Sequence, residues 1–272
     1  MHSQKPGRFA YLSGMHIVVT GASSGIGEAI ARELAKLPGA RLTLVARRGE
    51  RLARLSRELG PTAHVVVRDL SQPNDAESVI DEAEAASGPV DVLVNNAGSQ
   101  IIADTAAVDV AEGEASLALN LVTPLRLVRR VLPGMLARRS GAIVDIASMA
   151  ALAPTPRMTY YNASKAGLAA ASEALRGELR GSGVHVVTVY PGIIDETTLA
   201  QAALARYRST PMLRLQPRGT AAELARRVRR AIERRSARVV YPRMNAFARW
   251  FPTLVRWVID RFTPQLAALA PE

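Results

Sequence analysis

The stretch TGASSGIG, Thr20–Gly27, lies between an apolar run, HIVVT, and an amphipathic one, GEAIARELAKL. The first reads as a buried strand, the second as a helix, and the glycine-rich residues as the turn joining them. Glycines there permit a tight turn and a close approach of backbone N–H groups to an anion, which the N-terminus of the following helix also favours. Gly21, Ser23, Ser24, Gly25, Ile26 and Gly27 are therefore candidate contacts to a pyrophosphate. The spacing is G-x-x-x-G-x-G, and the plain alternative is a turn with only a structural purpose. Its place after the first strand favours nucleotide binding.

Downstream the same alternation repeats. ARLTLVAR, AHVVVRDL, VDVLVNNAG, GAIVDIAS and VHVVTVYPG are further short apolar runs, and ARVVYP makes a plausible seventh. Helical patterns separate them, including one long stretch from about Ala111 to Arg139. Apolar strands without alternation, divided by helices, predict a doubly wound α/β fold: a parallel sheet of about seven strands covered on both faces. No repeat or low-complexity segment interrupts 1–272, so one Rossmann-like domain is expected.

The second strand ends in Ala46-Arg47-Arg48, and no acid follows until Glu50. A fold of this kind that takes NAD(H) usually places an acid there for the ribose 2′-hydroxyl. Arg47 offers instead a planar fork suited to a 2′-phosphate, so NADP(H) is favoured over NAD(H). The ordinary alternative is a solvated arginine at a helix start.

A second motif is YNASK, Tyr161–Lys165, in MTYYNASKAG. On a helix, residues four apart share a face with Cβ atoms about 5–6 Å apart, so Tyr161 can share a pocket with Lys165. Tyr160 is rotated about 140° from that lysine. A free tyrosine has a pKa of about 10, and a nearby ammonium is expected to lower it by a unit or more. Taken singly, such a pair is usually a packed ring and a surface charge.

TGASSGIG, NNAG at Asn95–Gly98, Asn120, Ser148, YNASK and YPG at Tyr190–Gly192 occur in the order of the short-chain dehydrogenase/reductase family, which the chain resembles over about residues 15–195. The resemblance implies hydride transfer between a nicotinamide and a carbonyl/secondary alcohol pair. It implies that Tyr161 is the acid/base, Lys165 its partner and a ribose contact, Ser148 the carbonyl-polarising hydroxyl, and Asn120 the holder of a water relay. Asp69 with Leu70 would meet the adenine, and Asn96, Ala97 and Gly98 the adenosine side. Pro191, Gly192 and Ile194 would lie under the nicotinamide. One departure is Glu196, where the family often has threonine; Thr197 follows at once, so the carboxamide contact would shift by one residue or be replaced. The family also implies a homodimer or homotetramer through the small-residue helix NASKAGLAAASEAL and the long helix before it. A sensor or membrane-associated interaction protein on the same fold is the alternative from another class.

Composition narrows the rest. No cysteine is present, which excludes disulfides and thiolate chemistry, and four scattered histidines give no metal-ligand spacing. The start, MHSQKPGRFAYLSG, does not read as a secretory signal, and no apolar run reaches about 18 residues, so a cytoplasmic protein is expected. The formal net charge is +11. Residues 1–205 balance 20 basic against 20 acidic side chains, whereas 206–261 hold 15 arginines against Glu223, Glu233 and Asp260. Residues 195–220 are expected to form a substrate lid. The Arg/aromatic extension 243–272, with NAFARWFPTLVRWVIDRF, has three readings: packing on the core or a dimer partner, a wall of a greasy substrate pocket, or peripheral contact with an anionic membrane face. No nucleic-acid module is recognisable.

Overall fold

The computed structural model describes residues 13–207 and 216–263. Each apolar run becomes a strand: β1 (His16–Thr20), β2 (Arg41–Ala46), β3 (Ala63–Val67), β4 (Val92–Asn95), β5 (Gly141–Ile146), β6 (Val184–Pro191) and β9 (Arg238–Tyr241). They form one parallel seven-stranded sheet in the order β3-β2-β1-β4-β5-β6-β9. The order reverses between β1 and β4, which opens a crevice at the carboxyl ends of these strands.

Side chains alternate across each strand, so the two faces have separate cores. On one, Ile17, Val19, Leu42 and Leu44 meet α1 (Gly25–Leu34), α2 (Gly49–Leu59) and α8 (Ala221–Arg234). On the other, Val18, Val45 and Ile143 meet α3 (Ala76–Ser87), α5 (Thr123–Arg138) and the end of α6 (Thr159–Glu178). The narrow stripe Leu224, Val228 and Ile232 on α8 is fully buried, each side chain contributing roughly 1.5–3 kcal/mol. Thr220 caps that helix, its hydroxyl accepting from the Glu223 backbone N–H at 3.2 Å.

Two features depart from the sequence expectation, and the lid and extension follow it. The long stretch 111–139 is not one helix: α4 (Val110–Leu117) passes through a π-helical turn, Ala118–Val122, before α5. Two minimal strands, β7 (Ile193–Ile194) and β8 (Arg218–Gly219), pair with each other and close the base of the expected lid. Within that lid α7 spans Thr198–Arg206, and residues 208–215 lie outside the described ones. The extension forms a short helix α9 (Phe247–Trp250) and then α10 (Pro252–Phe262), Pro252 starting the second; its residues 264–272 also lie outside the described ones.

Candidate active site

The glycine turn is locked from below by the NNAG turn. Thr20 Oγ1 accepts from the backbone N–H groups of Asn96 (2.9 Å) and Ala97 (3.1 Å), and Asn96 Nδ2 donates to the Thr20 carbonyl at 2.9 Å. Gly21 has φ +67, and a Cβ there would stand 2.7 Å from Asn96 Nδ2 and 2.8 Å from the Ala97 Cα. The turn thus needs glycine for both conformation and space. Ser24 is extended and Gly25 opens α1, so the backbone N–H groups of Gly25, Ile26 and Gly27 are the unpaired donors of a helix start. The carbon that Gly25 lacks would stand 3.2 Å from the Thr197 methyl, which leaves a cradle beside the turn.

At the end of β2 the two arginines behave differently. Arg47 is exposed, with its guanidinium 3.6 Å from Asp69. Arg48 reaches back across the turn, donating to Ser23 Oγ at 2.9 and 3.1 Å and to Ser24 Oγ at 2.6 Å. Partial burial, then the neighbouring cations Arg51 and Arg47, pull its pKa down from the usual arginine value. Such a cluster of cations is stabilised by an anion. The sequence pointed to Arg47; the structure holds the next residue, Arg48, against the glycine turn. Asp69 accepts from the Ser71 hydroxyl at 2.8 Å, and Leu70 is buried behind it.

On the other side of the crevice, α6 brings Tyr161 and Lys165 to one buried face, with Lys165 Nζ 6.0 Å from the Tyr161 ring centroid. Ser148, which follows β5 and accepts the Ala150 N–H at 3.1 Å, lies close enough to the Tyr161 hydroxyl to favour its ionised form. Tyr160 points elsewhere, against Gly113 of α4, where a Cβ would stand 2.5 Å from its ring. Lys165 Nζ donates to the Ile146 carbonyl at 2.8 Å. Asn120 is fully buried on the π turn, taking the Ser99 N–H at 2.9 Å and donating to the Ser99 carbonyl at 2.9 Å and to Ser164 Oγ at 3.1 Å. Gly98 completes the cluster: a Cβ there would stand 3.0 Å from Asn120 Oδ1 and 3.4 Å from Lys165 Nζ.

The electrostatics correct one expectation. Burial pushes the Tyr161 pKa up, with only the nearby Ser148 opposing it, so Tyr161 is a weaker acid than free tyrosine in this state. Burial also brings Lys165 down to about 8, partly offset by the charge of Asp145. Asp145 was not singled out from the sequence, although an acid inside an otherwise apolar buried strand is uncommon unless paired. It is buried on β5 and held by Asn95 Nδ2 at 2.8 Å, and burial raises its pKa.

Pro191 ends β6, Gly192 donates its N–H to the Tyr241 carbonyl at 2.7 Å, and Ile194 is buried on β7. Glu196 turns away from the crevice to accept from the Ala221 N–H at 2.8 Å. Thr197 is the side chain that faces the glycine turn, its hydroxyl donating to the Ile194 carbonyl at 2.9 Å. Among the described residues no group of histidine or acidic side chains could hold a metal ion, and no helix is long and apolar enough to cross a membrane.

Comparison with known proteins adds four likenesses. Residues 15–208 match the model of the short chain dehydrogenase family. The chain is 37% identical over 189 residues to the ketoacyl reductase HetN of Nostoc sp. (strain PCC 7120), covering 68% of this chain and 66%, just under two thirds, of that relative. It is 34% identical over 268 residues to the fatty acyl-CoA reductase Rv0547c of Mycobacterium tuberculosis, covering 94% of this chain and 87% of the relative. A crystal structure of a metagenomic short-chain oxidoreductase in complex with NADP superimposes with a TM-score of 0.64 at 38% identity, over 71% of this chain and 90% of the other.

Proposed function

The chain belongs to the short-chain dehydrogenase family and is an oxidoreductase of that type; on that premise we propose that it transfers hydride between NADP(H) and a carbonyl/secondary alcohol pair on a lipophilic or acyl substrate. The observation that carries the reading is the grouping of buried Tyr161, Lys165 and Asn120 with half-buried Ser148 at the carboxyl ends of the strands. The residues present fit the dinucleotide: the glycine cradle has room and free N–H donors for a pyrophosphate, and Arg48 with Arg47 offers cations where a 2′-phosphate would lie. Asp69, Leu70 and the Asn96–Gly98 segment would line the adenosine side, and Pro191, Gly192, Ile194 and Thr197 the other end.

When bound, the cofactor supplies or accepts the hydride. The protein's part is proton transfer and charge placement. In reduction, Tyr161 gives its phenolic proton to the carbonyl oxygen while Ser148 donates a hydrogen bond to that same oxygen. The phenolate left behind is balanced by the Lys165 ammonium, which the Ile146 carbonyl orients. Asn120 holds the π turn against Ser99 and Ser164 and so fixes the floor beneath Lys165.

Lipophilic substrates are supported by the names of the ketoacyl and fatty acyl-CoA relatives, the second of which matches over 94% of this chain. Peripheral contact of that extension with a cytoplasmic membrane face belongs to the same proposal. Pairing of two copies is supported by the exposed small residues Ala163, Ala170, Ala174 and Gly177 on α6, next to exposed Val122 and Leu125. The test is a panel of long-chain aldehydes and ketones with NADPH, read by loss of reduced-cofactor absorbance, for the native protein and Tyr161→Phe. Turnover that falls by about 10³-fold or more with NADPH affinity intact supports the roles; near-native turnover in the variant refutes them.

A further inference from the structure

The segment Arg243–Thr263 leaves its apolar surface uncovered. Seven of the thirteen large hydrophobic side chains that stand exposed among the described residues lie in it: Met244, Phe247, Trp250, Phe251, Leu254, Trp257 and Phe262. Trp250 is 74% and Trp257 60% exposed, and α10 buries no residue at all. The rings stack on each other at the surface, Phe247 on Phe251 at 4.5 Å and Trp257 against Phe262 at 6.1 Å. An apolar patch this concentrated marks a docking surface.

The arm is nevertheless held in a fixed place. Arg249 donates to Glu173 on the tyrosine helix at 3.2 Å, and Arg256 donates to the Pro154 carbonyl at 2.8 Å. Pro154 lies in the segment that leads from Ser148 to α6, so the arm is tied to the stretch of chain between Ser148 and the tyrosine helix. Leu254, Trp257 and Arg261 share the outward face at helical spacing. The arm carries four arginines, Arg243, Arg249, Arg256 and Arg261, against Asp260 alone, and Arg243 and Arg261 are exposed next to the rings.

We infer that Arg243–Thr263 is an interfacial arm that seats the protein on an anionic lipid bilayer, with Trp250, Phe251, Leu254 and Trp257 entering the headgroup boundary and Arg243 and Arg261 meeting lipid phosphates. Aromatic rings beside cations on a short exposed helix pair have the composition of an interfacial segment, and a positive local field selects a negative surface over a neutral one. Through Arg256 and Pro154 the seat ties the stretch of chain after Ser148 to the layer in which a lipophilic carbonyl compound is dissolved. This deepens the peripheral contact proposed above, and the binding itself does not depend on the hydride chemistry.

Both tryptophans of the chain are in the arm, so intrinsic emission reports on it directly. The full-length protein is titrated with vesicles of phosphatidylcholine alone and with vesicles containing about one third phosphatidylglycerol. With the anionic vesicles the emission shifts to the blue, brominated lipid quenches it, and the protein pellets with the vesicles; high salt reverses all three. Trp257→Glu and, separately, Arg243→Glu lose at least about tenfold in vesicle affinity while keeping the native melting temperature and NADPH binding. Equal binding to neutral vesicles without salt dependence, or no shift with anionic ones, overturns the inference. It is also overturned if emission shifts with protein concentration in the absence of lipid and Trp257→Glu abolishes a dimer, since the patch then covers a second copy.

Discussion

Arg48→Ala should separate the two reduced cofactors. Arg48 is held by three hydrogen bonds to Ser23 and Ser24, so its fork is already oriented over the glycine turn, whereas Arg47 is 68% exposed at the side chain and 3.6 Å from Asp69, its ion-pair neighbour among the described residues. A hydrogen bond to a charged group contributes about 1.5–3 kcal/mol, so losing the Arg48 fork should weaken NADPH by about tenfold to hundredfold. NADH lacks the 2′-phosphate and should change by less than about threefold. Arg47→Ala removes a solvated cation, worth about 0–1 kcal/mol, and should cost NADPH no more than about fivefold. The assay is equilibrium titration of each variant with both cofactors, followed by cofactor fluorescence or calorimetry. The melting temperature of free Arg48→Ala should not fall, because the substitution also relieves repulsion from Arg47 and Arg51. Equal losses for NADPH and NADH would show that Arg48 merely braces the serines of the turn, and unchanged NADPH affinity would refute the assignment outright.

Two other perturbations address charge. With Lys165 at about 8, its ammonium is present below that value and lost above it, while burial keeps Tyr161 protonated through the same window. The rate constant for reduction should therefore fall as pH rises through about 8, and a pH profile flat to about pH 10 would count against a charged Lys165 in the step. Glu173→Gln tests the anchor of the arm: hydrogen bonds from Arg238 first, then from Tyr190 and Arg249, hold this carboxyl near 2. A folded-state pKa below the unfolded one brings stability that is complete above the unfolded value and lost as pH falls toward about 2, so at neutral pH the variant should lose about 1–3 kcal/mol and melt a few degrees lower, with altered tryptophan emission. An unchanged melt would show that the cluster contributes nothing net.

The sheet was legible because its central strands are buried on both faces and are therefore apolar runs; even the partly buried edge strands β3 and β9 showed as AHVVVRDL and ARVVYP. The glycine turn and the tyrosine–lysine pair were legible because local geometry fixes them. What escaped depends on neighbours distant in the chain. The π turn at Asn120 inserts no break in an apolar pattern, and it is held by Ser99 and Ser164, neither adjacent in sequence. β7 and β8 pair through two residues each and have no period to detect. Arg47 and Arg48 differ only in which way the chain turns as β2 gives way to α2. Helical spacing in the extension was readable, yet spacing alone does not say which side is covered.

The acidity of Tyr161 shows the same limit in its sharpest form and bears on the direction of the reaction. Spacing places an ammonium near the phenol, and from that alone the phenol should be the more acidic of the two possibilities. In the folded chain the amine is 6.0 Å from the ring centroid and engaged by the Ile146 carbonyl, and burial dominates both groups. Burial opposes charge of either sign, so it raises the tyrosine and lowers the lysine. A phenol held neutral is a proton donor waiting for an oxygen that gains electrons, which is what a carbonyl does on reduction. Oxidation needs the same phenol as a base, and hence an added positive charge beside it to overcome the burial. The oxidised nicotinamide proposed here would bring such a charge, so the same buried phenol can serve as acid in reduction and as base in oxidation.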